Sequence, residues 1–334
     1  MNRLAPKMSR LVPATLLALA CALFASVPIA AWADSAWPAR PVRLIVPFPP
    51  GGGSDAVGRL IGQKLAEQLG QQVIIDNRAG AGGSLGTEAA VRAAPDGYTM
   101  VLASTSEIAI NPSLYSHLGY DTVKDLVPVA LVATTPMVLI VNMDLPVKSV
   151  PELIALARAK PGELNVASAG IGTISHLSGE MLRSMSNLSW THVPYRGTSP
   201  ALSDLVGGQV QLMFLPPPPA IALVKGNHAR LIAVSGKTRA PGLPDTPTVA
   251  ESGLPDYNVD NWYGIFMPVG TPQAVVARMA DEVARALKVP DTVGMLASQG
   301  AAPGAMSTPQ FSDYVKAEVA KWSKVVKSSG AKAE

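Results

Sequence analysis

The sequence predicts an α/β fold built from two similar halves. Short β-branched apolar runs are followed by glycine-rich breaks and then by apolar residues at helical spacing, and this order recurs along the chain. Glycine (29 residues) and proline (30) are both abundant, so tight turns are frequent. A charged fraction of only 15% against 48% hydrophobic residues leaves ample apolar surface for packed cores and excludes disorder.

The N-terminus reads as an address. Arg3, Lys7 and Arg10 precede an uncharged stretch from Leu11 to Ala33 that ends in Ala31-Trp32-Ala33, a small-x-small exit. That pattern predicts a secretory signal covering residues 1–33, cleaved after Ala33, rather than a retained anchor. Its three charges are all basic, so removing them takes Lys+Arg from 27 down to the 24 of Asp+Glu. The mature chain is formally neutral and lacks cysteine, because Cys21 leaves with the leader. No clustered basic surface for nucleic acid is expected, nor a disulfide framework or cysteine-based metal site.

In the first half, Val42 to Phe48 reads as a buried strand. Pro49-Pro50-Gly51-Gly52-Gly53 breaks it, and Ser54 or Asp55 is placed to cap a helix carrying Val57, Leu60, Ile61, Leu65 and Leu69. Gly70 stops that helix and Gln72 to Asp76 returns as a strand. A glycine-rich loop (Arg78 to Gly86), a helix near Thr87 to Ala94 and a strand at Tyr98 to Ala103 complete the unit. The uncharged stretch Leu126–Met143 is interrupted by Pro128 and Pro136 and reads as two strands with a bend, not a membrane span.

The second half repeats the scheme. Ser149-Val150-Pro151-Glu152 opens a helix, Leu164 to Ser168 is a strand, and Ala169 to Thr173 is its small-residue loop before a helix from His176 to Met185. A strand at Thr191 to Pro194 leads through Tyr195 to Pro200 into a helix ending at Gly207-Gly208, and Val210 to Phe214 is again a strand. The Pro216–Pro219 run, which rules out a span over Leu205–Val224, reads as a rigid extended connector. Thr271-Pro272 and Thr308-Pro309 predict two further helices with threonine as cap.

Each half therefore sends a strand into a glycine-rich turn and a helix N-terminus, a place where backbone N–H groups attract anions. Two other chemistries can be written. Gly51 to Ala56 with Asp76 imitates a dinucleotide fingerprint, but an exported protein does not meet free nucleotide, and the Gly-Lys-Ser/Thr of a P-loop is missing. Gly82-Gly83-Ser84-Leu85-Gly86 imitates the nucleophile elbow of a secreted hydrolase, with histidines downstream and Asp204 between. An elbow serine follows its strand directly, whereas here a loop intervenes; the alternative is a small-residue loop that brings backbone close to something. His117, His176, His192 and His228 have no metal spacing, and no cofactor is expected.

Several strings occur in order: Arg40-Pro41-Val42, Pro47-Phe48-Pro49-Pro50-Gly51-Gly52, Asn77-Arg78-Ala79-Gly80-Ala81-Gly82-Gly83, Pro95-Asp96-Gly97-Tyr98-Thr99, Asn111-Pro112-Ser113-Leu114-Tyr115, Pro194-Tyr195-Arg196-Gly197 and Pro244 to Glu251. Across essentially the whole mature chain they resemble the Bug family, the periplasmic solute receptors of tripartite tricarboxylate transporters. The loop reads Pro49-Pro50 where many members carry smaller residues. The resemblance implies a periplasmic-binding-protein type II-like fold, with two α/β domains joined by crossover hinge strands. Domain 1 is then 34–132 with 255–334 and domain 2 is 133–254, with crossovers around Val129–Val141 and Tyr257–Phe266.

It also implies closure on a carboxylate held by backbone amides and water. The first-domain ligand residues would be Phe48, Pro50, Gly51, Gly52, Ser54 and Asp55, with Gly82 and Ser104. The second-domain set would be Ser168, Gly170, Gly172, Thr173, His176, Tyr195, Gly197, Thr198 and Asp204. The implied protein is a monomeric, non-enzymatic receptor in the periplasm, handing its ligand to a two-part membrane permease or reporting to a sensor. The expected alternative is a hydrolase using Ser84.

Overall fold

The computed structural model describes residues 37–240 and 242–333. The leader assigned to residues 1–33 lies outside the described residues. Two sheets organise the rest. The first is built from β1 (Val42–Val46), β2 (Val73–Asn77), β3 (Thr99–Ser104), β4 (Leu126–Pro136), β10 (Asp260–Pro268) and the short β11 (Ala302–Pro303). Its spatial order is β11-β4-β10-β3-β1-β2. β1 lies parallel to β2 and β3, while β10 runs antiparallel to β3 and β4.

The second sheet contains β5 (Val138–Asn142), β6 (Asn165–Ser168), β7 (Thr191–Pro194), β8 (Leu212–Leu215) and β9 (Ala229–Val234). Their order is β7-β6-β8-β5-β9. β6 is parallel to β7 and β8, and β5 is antiparallel to β8 and β9. Each sheet is thus a parallel βα unit closed by an antiparallel strand that arrives from the other half of the chain. The uncharged stretch read as two strands is β4 and β5, with Met137 alone between them. No helix among the described residues is long and apolar enough to cross a membrane.

The chain passes between the sheets at two places, and one side chain ties them together. Ser235, just after β9, is fully buried. Its Oγ accepts from the Met137 N–H at 2.7 Å and donates to the Val259 carbonyl at 2.5 Å. The Ser235 N–H donates to Met137 O at 2.8 Å and Ser235 O accepts from Val259 N at 2.9 Å. Ser235→Ala strands one donor and one acceptor in a dry site. Loss of about 2 kcal/mol is expected, read as a shifted urea midpoint.

The helices follow the sequence with instructive differences. Helix α1 (Gly53–Leu69) is capped by extended Gly52, not by Ser54 or Asp55. Helix α2 (Ser84–Val91) starts earlier than expected. A π-helical turn (Ser106–Ile110) runs into the short α3 (Asn111–Leu114). α4 (Val150–Ala159), α5 (Ile174–Met185) and α6 (Thr198–Val206) flank the second sheet's strands. The Pro216–Pro219 run is not an extended connector. Pro217 opens α7 (Pro217–Lys225), because first-turn residues have no intrahelical use for an N–H.

α8 (Gln273–Ala286) follows Pro272, and the Thr271 hydroxyl donates to Pro268 O rather than capping the helix. After α9 (Pro290–Ser298), α10 (Thr308–Ser329) is capped by Ser307 in a box with Gln310, one residue before the expected threonine. Its buried Glu318 accepts from the indole N–H groups of Trp262 (3.1 Å) and Trp322 (3.0 Å), which anchors α10 to the first sheet.

Candidate functional site

The carboxyl ends of β1 and β3 form the first corner. Between β1 and α1 the chain carries half-buried Phe48 and exposed Pro50, Gly51 and Gly52. Gly51 has φ +89°, a conformation that L side chains resist. Its N–H donates to Asp55 Oδ2 at 2.9 Å, and the same oxygen accepts from Arg59 Nε at 2.9 Å. Asn77, at the end of β2, donates to Asp55 Oδ1 and to Phe48 O, both at 3.0 Å. Burial would raise the Asp55 carboxyl, but the bonds from Arg59, Gly51 and Asn77 hold it below its ordinary value. Asp55 is therefore the staple of the loop, and its oxygens are occupied.

Ser54 and Gly53 face Tyr263 of β10. A Cβ at Gly53 would sit 3.0 Å from the Tyr263 hydroxyl, which accepts from Asn261 Nδ2 at 2.9 Å and also engages Ser54. Ser104 ends β3, and its hydroxyl donates to Glu107 Oε2 at 2.5 Å. Gly82 (φ +60°) belongs to the turn before α2; its carbonyl accepts from Asn111 Nδ2 at 3.0 Å. The same amide donates to Ser84 Oγ at 2.9 Å. Ser84 is buried and has no histidine among its hydrogen-bond partners in the described residues, so no catalytic triad assembles around it. The small-residue reading of this motif is the one that fits. A Cβ on Gly86 would lie 2.6 Å from the Arg78 carbonyl and 2.8 Å from Pro47 Cα, so the glycine lets α2 touch the loop backbone.

The second corner lies beyond β6 and β7. Ser168 Oγ donates to Gly170 O at 3.1 Å, and the Gly170 N–H donates back to it at 3.2 Å. The Thr173 hydroxyl donates to Gly170 O at 2.7 Å and accepts from His176 N at 3.3 Å, capping α5. Gly170 and Gly172 have φ +140° and +75°. The neighbouring loop is bonded to this one, from Tyr195 N to Ser168 O and from Gly197 N to Ala169 O. The Tyr195 hydroxyl donates to Asp204 Oδ2 at 2.6 Å, and burial with that carboxylate pushes the phenol up to about 12. Gly197 (φ +108°) turns the chain into Thr198, the first residue of α6.

Beneath this corner the His176 and His192 rings stack with centroids 3.7 Å apart and planes 12° from parallel. The Gly172 N–H donates to His176 Nδ1 at 3.1 Å, which fixes the tautomer with hydrogen on Nε2. His192 Nε2 lies 2.7 Å from Ser168 Oγ. Burial pushes both imidazoles down to about 4, reinforced at His176 by Arg183 and at His192 by His176. The Ser168–His192 contact has the look of a catalytic pair, yet Ser168 is fully buried and its hydroxyl is bonded to Gly170, so it cannot reach a substrate.

The two corners meet. Gly172 packs against the Leu114 side chain so closely that any Cβ would overlap it. Leu114 ends α3, whose first residue is the Asn111 that holds Gly82 and Ser84. All the expected site residues thus fall on the two corners. Asn77, Glu107, Asn111, Tyr263 and His192 are structural partners that the sequence reading left out.

A profile described as the tripartite tricarboxylate transporter family receptor matches residues 57–331. The chain belongs to this receptor family. A protein of Pseudomonas sp. (strain P51), named as a UPF0065 protein in the tcbD-tcbE intergenic region, is 40% identical over 292 residues, 87% of each chain. A solved structure of R. palustris Rpa4515 with adipate is 37% identical, with a TM-score of 0.76, covering 88% of this receptor and 98% of that chain. MatC (Rpa3494) from Rhodopseudomonas palustris with bound malate is 35% identical, with a TM-score of 0.73, covering 87% and 100%. The family resemblance seen in the sequence strings and the two-sheet α/β architecture are both borne out, and the hydrolase alternative finds no support.

Proposed function

We propose that this receptor captures a small organic carboxylate between the two corners, in the periplasm, and presents it to a two-part membrane permease or a sensor. The observation that carries the reading is the chemistry of the corners. The side chains of Asp55, Asp204, Ser168 and Thr173 are bonded within their own loops, and the surface they shape is glycine backbone at strand carboxyl ends. The Gly51, Gly170, Gly172 and Gly197 N–H groups are spent on holding these turns, and the N–H groups beside them at the starts of α1 and α6 suit an anion without a cationic side chain. The adipate and malate in the related structures fit this class of ligand.

The proposed lobes are residues 34–132 with 255–334 and residues 133–254. The hinge is placed at the Met137–Ser235–Val259 junction, near these borders. Ligand contacts to both lobes would favour a closed form, which the permease or sensor reads. The ligand residues are those named from the sequence, with Asp55, Asp204 and the fully buried Ser168 acting only through the loops they brace. The leader would be cleaved after Ala33, and the mature protein would act as a monomer without catalysis.

The test is a thermal-shift screen of mono-, di- and tricarboxylates on the mature protein. A ligand at a hundred times its Kd adds about 2.7 kcal/mol and raises Tm by several degrees. Gly172→Val, which wedges the corners apart at Leu114, should fold and lose the shift. A flat response across the panel would overturn the reading.

A further inference from the structure

One acid stands in the first corner with no cation. Glu107 is fully buried in the π-helical turn, between the carboxyl end of β3 and the start of α2. A Cβ added to Gly83 would lie 2.5 Å from its Cγ. Its Oε2 accepts from the Ser104 hydroxyl at 2.5 Å and its Oε1 from the Ser104 N–H at 3.3 Å. No Lys, Arg or His among the described residues makes an ion pair with it.

The groups around it are polar and mostly neutral. From the segment after α3, Tyr120 donates to the Glu107 carbonyl at 2.7 Å. From β10, Tyr263 feels its charge, and burial together with Glu107 pushes that phenol up to about 12. On α2, Glu88 pairs with Arg92. α10 packs on the same turn, and its charges Asp313–Lys316 and Glu318–Lys321 are paired with each other. Asp260, at the start of β10, lies near Lys321 and Glu318.

Resting on the receptor reading above, we infer that Glu107 couples carboxylate capture to uptake of one proton. An anion in the first corner and an ionised Glu107 behind Ser104 would be two like charges, and among the described residues no ion pair neutralises the buried Glu107. Proton uptake removes the conflict: solvent supplies H⁺, Glu107 Oε2 takes it, and the acid becomes neutral. It also reverses one hydrogen bond. Ionised Glu107 accepts the Ser104 hydroxyl hydrogen; protonated Glu107 donates to Ser104 Oγ and frees that hydrogen for the ligand. Glu107 is thus a positioning residue that acts through Ser104. Burial already pushes its carboxyl up to about 7 against the Ser104 bonds, so the ligand-free acid is poised to take the proton near neutral pH.

The experiment is titration calorimetry of the mature protein with adipate and malate, within the same carboxylate panel. It is run at pH 7.5 in HEPES and in Tris, and from pH 6 to pH 9. Proton uptake makes the apparent enthalpy differ between the buffers, and affinity should fall about a hundredfold from pH 6 to pH 9, because the acid at about 7 is almost wholly ionised at the upper end. Glu107→Gln, whose amide donates to Ser104 Oγ as the neutral acid would, should bind with wild-type affinity at pH 6 and stay flat to pH 9. Equal enthalpies in both buffers, or a variant whose pH profile parallels the wild type, would overturn the inference and leave the receptor reading standing. If no carboxylate of the panel binds at any pH, the receptor reading falls and takes this inference with it.

Discussion

Gly86→Val should be the most damaging single substitution near the site, costing about 3 kcal/mol or more and abolishing carboxylate binding in whatever protein still folds. Gly86 is a helical residue with an ordinary φ, so the glycine is there for space and not for conformation. The atoms a side chain would meet are the Arg78 carbonyl and Pro47 Cα and Cβ, at 2.6, 2.8 and 3.0 Å. Two of these are backbone and cannot swing aside as the end of a flexible side chain can. Overpacking a core typically costs about 1–3 kcal/mol, and a branched side chain driven into main chain belongs at or above the top of that range. The displaced segment is the one leading into Gly51 and Asp55, so the harm to binding should exceed the harm to stability. Urea midpoints and ligand-induced Tm shifts, measured on Gly86→Ala and Gly86→Val, separate the two effects. If Gly86→Val unfolds at the wild-type midpoint and binds normally, the close approach of α2 to the loop is wrong.

That glycine also marks what a sequence can and cannot say. The strand, glycine-rich turn and helix order was legible because hydrophobic period and turn chemistry are local, and β6 and β7 fall on the expected residues or within one of them. The small residues of the G-x-S-x-G string said that something comes close, but not what. Pro47 lies in the loop after β1 and Arg78 at the far start of the glycine-rich loop, and only the parallel pairing of β1 with β2 sets the two side by side under Gly86. Glu107 left no trace for a related reason. It sits in a π-helical turn with no clean period, and its meaning depends on Ser104, Gly83 and Tyr263 arriving from separate elements. Tyr263 was read only as part of a crossover strand, since its hydroxyl's role depends on α1 lying across it. His192 could have been found. Once β6 and β7 are taken as parallel neighbours, its register opposite Val166 sets it close to Ser168. The Pro216–Pro219 run failed differently, because proline's fixed φ suits a first helical turn as well as an extended connector, and only the apolar positions after it favour the helix.

Acid should weaken the second corner more steeply than any other part of the receptor. His176 and His192 are held neutral in the fold, with values near 4 against an ordinary 6.5. For a base whose folded value is depressed, the unfolded chain binds the proton first. Stability from the pair is therefore complete above pH 6.5 and is lost as pH falls from 6.5 towards 4, below which both states are protonated and the loss levels off. Allowing for the partial exposure of His192 and the coupling between the stacked rings, the pair should cost about 3 kcal/mol between pH 7 and pH 4. Glu107 and Asp260, raised to about 7 and about 6, act with the opposite sign, because they favour the folded state as pH falls through the same interval. The raw pH profile of the wild type therefore understates the histidine effect. His192→Phe keeps a ring to stack on His176 and leaves both acids in place, so the difference between its unfolding free energy and that of the wild type isolates the imidazole. That difference should shrink by about 1–2 kcal/mol from pH 7 to pH 4, and ligand affinity should fall in wild type and variant alike, since both keep His176 and a protonated Nδ1 can no longer accept the Gly172 N–H. A difference that stays constant across that range would mean the rings are not held neutral, and the loop from Ser168 to Thr173 would then have to be anchored by something other than the stacked pair.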